Sequence, residues 1–236
     1  MIKNYFRKKV FEHQLSKSSL PVKIIVGADG ERLPGWLSTE KDFFDITKES
    51  DWKKYFDFKQ KVSPPFIKTK TRYEERVVGG VKRMIPVLDP VGLSASVEMR
   101  MEVISHILCE EIVQDLEISE VREFLRLAYD YLTPKGRIRI SVPDANHPNK
   151  EYQKNIVEKH KQQFNYMQII RMLREAGFNK PSLKEGYIND GMFNISTWYM
   201  VDGLVKRSFW YDPRNMEVLD GYLFSSLIVD GIKNIK

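Results

Sequence analysis

Residues 22–40, V-K-I-I-V-G-A-D-G-E-R-L-P-G-W-L-S-T-E, constrain the fold more than any other stretch of this chain. Ile24, Ile25 and Val26 form a short apolar run that stops at Gly27. A run that short, bounded by glycine, reads as a buried strand over 23–27. The loop after it carries Gly27 and Gly30, and a second short strand over 36–40 ends in an acid, Glu40. Strand, glycine turn, strand and terminal carboxylate is the layout of a nucleotide-type cofactor site in an open α/β sheet. The glycines let the backbone approach a ligand, and the acid can accept hydrogen bonds from both hydroxyls of a ribose.

The rest of the chain alternates strand and helix signals. Val121, Phe124, Leu125, Ala128 and Leu132 follow the 3.6-residue period of a helix over 119–132, with Ser119 as its N-cap and T-P-K-G at 133–136 as its end. R-I-R-I-S-V at 137–142 reads as a strand that stops at Pro143-Asp144. Asn165 can cap a second helix, which carries Ile169, Ile170, Leu173 and Ala176 and is closed by Gly177. Further strands are expected at 101–105, 183–188 and 224–232, with a polar and aromatic hairpin-like stretch over 193–210. Trp52, Tyr55 and Phe56 line one side of a short helix over 50–56.

The N-terminal segment 1–20 is basic, and residues 2–15 read as an amphipathic helix through Ile2, Phe6 and Val10, with Tyr5 and Phe11 beside them. A lid or edge helix is expected there, a membrane-surface helix being the alternative. Over 58–98 the alternation lapses into Ser63-Pro64-Pro65, a V-V-G-G-V hairpin around Gly79-Gly80 and a break at Asp89-Pro90. That stretch reads as an inserted, partly β lobe within one domain spanning 1–236.

This alternation predicts an α/β fold, a mainly parallel sheet with helices on both faces. Ligands of such sheets sit at the carboxyl ends of the strands. The expected ends carry Gly27, Ala28, Asp29 and Gly30, then Glu40, Ser105-His106 and Pro143-Asp144.

Composition narrows the class. At 236 residues, 42% apolar and 30% charged, the chain can bury a core. No apolar stretch approaches the roughly 18–20 residues of a membrane span, and M-I-K-N-Y-F-R-K-K-V lacks the apolar region of a secretory leader. The lone Cys109 excludes an internal disulfide and fits a reducing cytosol, so a cytoplasmic location is expected. One cysteine with His13, His106, His147 and His160 gives no zinc spacing, and no metal is expected. The net charge of +6 attracts an anionic partner or simply solubilises the surface. Without aromatic and basic residues interleaved, no nucleic-acid partner is expected.

The succession V-G-A-D-G, P-G-W-L-S-T-E, D-I-T-K-E-S-D-W-K-K-Y-F, I-S-H-I-L-C-E-E-I and Y-D-Y-L-T-P-K-G-R-I-R-I-S-V-P-D, followed by F-N-Y-M-Q-I-I-R-M-L-R-E-A-G-F and a terminal S-L-I-V-D-G-I, resembles the class I S-adenosylmethionine-dependent methyltransferases. Within them it looks like a bacterial subgroup associated with saccharide and cell-surface biosynthesis. The likeness covers most of 22–57 and 100–233 and leaves out 58–98. It implies a Rossmann-like seven-stranded methyltransferase sheet, mostly parallel with an antiparallel last strand, and S-adenosylmethionine as cofactor. By the same resemblance Gly27, Ala28, Asp29 and Gly30 hold the methionine part, Glu40 takes the ribose hydroxyls, Asp45 lies near the adenine, and Ser105 opens the segment lining the pocket. Two positions depart from the family pattern. Asp29 stands in a turn usually made of small residues, where it can bind the cofactor's ammonium or repel its carboxylate. The acid-histidine pattern after the fourth strand is half kept, as H-I-L-C-E-E at 106–111.

Methyl transfer from a sulfonium mainly needs alignment, because the electrophile is already activated. A hydroxyl acceptor also needs a base, and the candidates are His106, Asp144 and His147. Each also has a purely structural reading as a loop cap or half-buried polar residue. A small-molecule or saccharide-type acceptor is expected, and a dimer is compatible with the sequence. Two alternatives stand beside this reading. One is a catalytically inactive relative that binds or assembles. The other is a nicotinamide-dependent oxidoreductase, which the lack of G-x-G-x-x-G and of a helix directly after the glycines disfavours.

Overall fold

The computed structural model describes residues 2–27, 33–62, 69–78, 81–90, 97–188, 191–209, 211 and 226–235. In chain order the elements are α1 (Ile2–Lys17), β1 (Val22–Val26), β2 (Leu37–Ser38), α2 (Glu49–Phe56), β3 (Lys59–Val62), β4 (Thr69–Val78), β5 (Val81–Pro90) and β6 (Val97–Arg100). There follow β7 (Ile104–Glu110), α3 (Ile118–Tyr131), β8 (Leu132–Pro143), α4 (Lys150–Asn155), α5 (Tyr166–Glu175), β9 (Asn179–Tyr187), β10 (Phe193–Ile195) and β11 (Ser226–Ile232). The chain divides into two compact units, Phe58–Met101 and the remainder on either side of it.

The larger unit is built on a seven-stranded sheet in the order β10-β9-β11-β8-β7-β1-β2. Strands β2, β1, β7 and β8 are parallel neighbours. β11 runs antiparallel to both β8 and β9, and β10 runs antiparallel to β9 at the edge. Five strands therefore share one direction, and the last strand in sequence lies reversed between two of them. This is a Rossmann-like α/β sheet.

Register sorts the side chains onto two faces. Ile24 lies beside Ile107 and Ile138, and Val26 beside Cys109 and Ile140, all nearly inaccessible to solvent. This apolar face packs against α3 and α5. α3 buries Val121, Phe124, Leu125, Leu127, Ala128 and Tyr131, and α5 buries Ile169, Met172 and Leu173. Gly231 of β11 is wedged among Leu173, Phe178 and Ile138, each close to 3.1–3.2 Å from the position a Cβ would take. A larger residue there would push α5 off the sheet.

The opposite face sets charged groups beside an apolar cluster of Ile25, Leu108, Ile228, Trp36 and Val205. Lys23, His106 and Arg137 sit side by side on β1, β7 and β8, and Arg139 lies beside Asp230 of β11. The cover over this face is the stretch 196–209, which contains one 3-10 turn, Met200–Asp202. Arg139 is fully buried. It donates to both Asp230 oxygens at 2.7 and 2.8 Å and to the carbonyls of Tyr199 and Gly203, and it stacks on Trp198 at 4.5 Å. Glu185 accepts from Trp198 Nε1 and from the Phe209 amide, both at 2.7 Å, so one buried carboxylate clips both ends of the covering stretch.

Several boundaries differ from the sequence expectation. The strand expected at 101–105 spans Ile104–Glu110 instead, because pairing with β1 and β8 extends along Ile107, Leu108 and Cys109. α3 is capped by Glu117 rather than Ser119. Glu117 and Glu120 form a reciprocal capping box, and the helix gives way at Leu132 directly to β8, which runs through T-P-K-G. β2 is only two residues long, although Thr39 still donates to the Ile25 carbonyl. Asn165 caps α5 in a capping box with Gln168, as its sequence predicts.

In the smaller unit β3 pairs with β6 and β4 with β5, both antiparallel. Val78 faces Val81 across the hairpin expected there, and Gly79 and Gly80 lie outside the described residues.

Candidate functional site

The chain order reverses between β1 and β7, so the carboxyl ends of β1, β2, β7 and β8 border the switch point of the sheet. Gly27 follows β1 directly with φ +65, and an added Cβ would come within 2.2 Å of Ile112 Cδ1. Both the left-handed backbone and the crowding demand glycine. Ala28, Asp29 and Gly30, expected to complete the turn, lie outside the described residues.

Glu40 stands two residues beyond β2. Its side chain is half-buried, and Oε1 lies 3.2 Å from Nη1 of Arg7 on α1. Its carbonyl accepts from the amides of Phe43 and Phe44, which begins a tight turn into the aromatic core. Asp45 closes that turn. Its carboxylate accepts from the amide and hydroxyl of Thr47 at 3.0 and 2.7 Å and pairs with Lys48 at 3.1 Å. Burial opposes its ionisation, but the Thr47 and Lys48 contacts win and hold the carboxyl below its ordinary value. Asp45 thus serves its own turn.

Asp144 follows β8 and is almost wholly buried. Its carboxylate accepts from the amides of Tyr187 at 2.6 Å and Asn146 at 2.8 Å, tying the end of β8 to the end of β9. Burial pushes its pKa up to about 6, against the pull of those two amides. His147 is buried beside it, stacked on Tyr152 at 4.1 Å and edge-on to Tyr187 at 4.8 Å. Its Nδ1 accepts from the Asn149 amide, which assigns the ring proton to Nε2. The Gln153 side-chain Nε2 donates to the carbonyls of Asp144, Ala145 and His147. Asp144 and His147 are brought together, but in a loop whose polar atoms are engaged with backbone.

Ser105 and His106 are not part of this end. They open β7 instead of closing a strand, and His106 pairs with Lys23, four residues before Gly27. At the rise of a strand that is about 13 Å from the glycine turn. Ser105 Oγ donates to the Val22 carbonyl, and His106 lies between Ser105 Oγ at 3.1 Å and Asp202 at 3.3 Å. Burial lowers the His106 pKa, with Lys23 adding to the effect and Asp202 opposing it. The sequence expectation failed here because S-H is flanked by apolar residues on both sides, so strand and strand end look alike.

The residues that do close β7 are Glu110 and Glu111. Glu111 has φ +55, rare for a non-glycine residue, while its amide donates to the Ser141 carbonyl. Its half-buried carboxylate accepts from Ser226 Oγ at 3.2 Å and lies 3.6 Å from Arg207. Burial raises its pKa, and Arg207 opposes the rise. Glu110 Oε1 accepts from the Arg207 amide. Two acids directly after I-L-C were the available sequence signal for this end. Cys109 is buried in the apolar face, and burial raises its thiol pKa, which keeps it a neutral core residue.

Among the described residues no group of three or more His, Cys, Asp and Glu is arranged to hold a metal ion, and no helix is long and apolar enough to cross a membrane. A groove of about 740 Å³ runs along α5, lined by Tyr166, Met167, Ile170, Arg171 and Arg174, and includes none of the strand-end residues above.

No protein-family model and no curated protein matches the chain. Solved structures that it resembles include human N-acetylserotonin methyltransferase in complex with SAM, 9% identical with a TM-score of 0.43 over 98% of this chain and 56% of that one. They include the CurJ carbon methyltransferase, 8% identical with a TM-score of 0.41 over 98% of this chain and 54% of that one. They also include a SAM-dependent methyltransferase from Archaeoglobus fulgidus, 17% identical with a TM-score of 0.35, where 55% of this chain covers 59% of that one.

Proposed function

We propose that this chain binds S-adenosylmethionine at the carboxyl ends of β1 and β2 and transfers its methyl group to a small-molecule or saccharide-type acceptor. The observation that carries the reading is the pairing of Gly27 and Glu40. A glycine forced into the left-handed region ends one parallel strand, and a half-buried carboxylate stands just past its neighbour. The donor set fits the group: Gly27 supplies the left-handed backbone of a tight turn at the end of β1, and Glu40 offers a carboxylate for a ribose diol. The saccharide-type acceptor rests on the sequence resemblance alone.

When bound, the cofactor supplies a methyl on a sulfonium that needs no further activation. The protein's task is then to orient donor and acceptor and exclude water. Gly27 and Glu40 hold the donor side. On the acceptor side stand Asp144, His147 and Glu111, at the ends of β8 and β7. Asp144, with a pKa near 6, can exchange a proton close to neutrality, where a base for a hydroxyl acceptor is most effective. Ser105 and His106 have no part in this reading, because they lie at the other end of their strand.

A second reading, a relative that keeps the fold without transferring methyl groups, is favoured by the engagement of Asp144 and His147 with backbone amides. Titration calorimetry with S-adenosylmethionine and S-adenosylhomocysteine tests both. Binding is expected, and Glu40→Ala is expected to weaken it by about 1–3 kcal/mol through lost charge-assisted hydrogen bonds. No binding at millimolar cofactor sinks the methyltransferase reading. Binding without methyl release to any hydroxyl or amine acceptor, sugars included, selects the second.

A further inference from the structure

We propose that His160, oriented by Asp115, is a general base for a hydroxyl acceptor, a role that rests on the methyltransferase reading above. Asp115 closes the 3-10 turn Val113–Asp115, which follows the carboxyl end of β7, and His160 comes directly after the 3-10 turn Val157–Lys159. His160 Nδ1 lies 2.8 Å from Asp115 Oδ1. An ionised carboxylate only accepts, so in the neutral ring the proton sits on Nδ1 and the lone pair on Nε2. Nε2 has no hydrogen-bond partner among the described residues, and the His160 side chain is 24% exposed. His147 is the reverse case, because its Nδ1 already accepts from the Asn149 amide. Both oxygens of Asp144 likewise accept from amides.

The pair is held at the cofactor end of the sheet. Val113 and Gln114 are buried beside Asp115, and Val157 is buried three residues before His160. The Gln162 amide donates to the Gln114 carbonyl at 2.9 Å, which fixes the two segments to one another next to the pair. Ile112, just before the first turn, fills the space that a Cβ on Gly27 would need. The same short segment therefore carries the side chain that packs on Gly27 and the carboxylate that orients His160. His160 is also close enough to Glu111 for its positive form to favour the Glu111 carboxylate. In the step, Nε2 takes the hydroxyl proton and the oxygen's electron pair forms the new bond to the methyl carbon. The pair of the broken carbon–sulfur bond stays on sulfur, and Asp115 balances the imidazolium that results.

The test follows the His160 ring by NMR in wild type, Asp115→Ala and Asp115→Glu, with and without S-adenosylhomocysteine. It also measures methyl release to simple sugar, phenol and amine acceptors in those proteins and in His160→Gln. The wild-type ring is expected as the Nδ1–H tautomer, with a signal that shifts on S-adenosylhomocysteine binding while that of exposed His13 does not. His160→Gln is expected to bind S-adenosylhomocysteine as wild type does, but to release methyl to a hydroxyl acceptor about a hundredfold more slowly. Asp115→Ala is expected to lose the tautomer and about tenfold in kcat, with KM unchanged, and Asp115→Glu to recover part of both. A His160 ring indifferent to S-adenosylhomocysteine, release to amines alone or to no acceptor, or His160→Gln as fast as wild type overturns the proposal and leaves the cofactor site standing. No S-adenosylhomocysteine binding by wild type overturns both.

Discussion

At the scale of single residues, burial decides what the strand-end acids can do. Asp144 keeps its proton up to about 6 in the folded protein, against 3.8 as the ordinary value. Between those values the folded state holds more protons than the unfolded chain, so stability falls as pH rises. The slope is about 1.4 kcal/mol per pH unit, and the loss reaches about 3 kcal/mol from this residue alone. Its stabilising share is fully present below pH 3.8 and is gone above about 6. Urea unfolding at pH 4, 5 and 6 checks this: wild type should lose stability more steeply than Asp144→Asn. Parallel pH profiles for the two proteins rule it out. Gly27 was readable because an apolar run stopped at it. Its steric reason, Ile112, lies 85 residues on and could not be read from the local sequence. Asp144 was readable as a strand-end acid, but not as the tie between β8 and β9, since nothing near it in sequence names Tyr187.

At the scale of elements, the helices were the most legible parts and the strand ends the least. α5 shows why. Its apolar residues recur at the helical period, and Asn165 can only cap, because its side chain competes with the helix for backbone amides. Here Asn165 Oδ1 accepts from the Gln168 amide at 3.1 Å and Gln168 Oε1 answers by accepting from the Asn165 amide at 2.8 Å. Asn165→Ala should cost about 1 kcal/mol in urea unfolding, while Asn165→Asp keeps most of it. An Asn165→Ala protein as stable as wild type would show that packing of Ile169 and Leu173 alone holds the helix. β7 is the opposite case. Met101, Val103, Ile104, Ile107 and Leu108 are all strand-compatible, so periodicity could not place its start. Pairing with β1 and β8 placed it, and moved Ser105 and His106 to the far end.

At the scale of the whole molecule, the sheet is held by two unlike faces. One is an ordinary apolar layer under α3 and α5. The other buries Arg139, Asp230 and Glu185 beneath residues 196–209. Arg139→Ala leaves buried Asp230 with its bidentate partner gone and Arg137 3.7 Å away, so it should cost about 3 kcal/mol. Arg139→Met with Asp230→Leu should cost clearly less, because both charges go together. Chemical denaturation of the two variants checks the order, and a double variant less stable than Arg139→Ala contradicts it. Local sequence reading does not predict this face, since an arginine in R-I-R-I-S-V is expected to point to water.

The sequence by itself determined the α/β class, the two principal helices, the glycine that ends β1 and the acid that follows β2. Those features are written in local periodicity, capping chemistry and turn chemistry, which act over a few residues. Only the tertiary structure decided which residues share an end of the sheet. It put Ser105 and His106 at the opposite end of β7 from Gly27, put Glu110 and Glu111 at the near end, and set Arg7 against Glu40. It also paired Arg139 with Asp230, 91 residues away. Register across parallel strands and the anchoring of α1 by Phe11 are long-range packing outcomes, and no short window of sequence contains them.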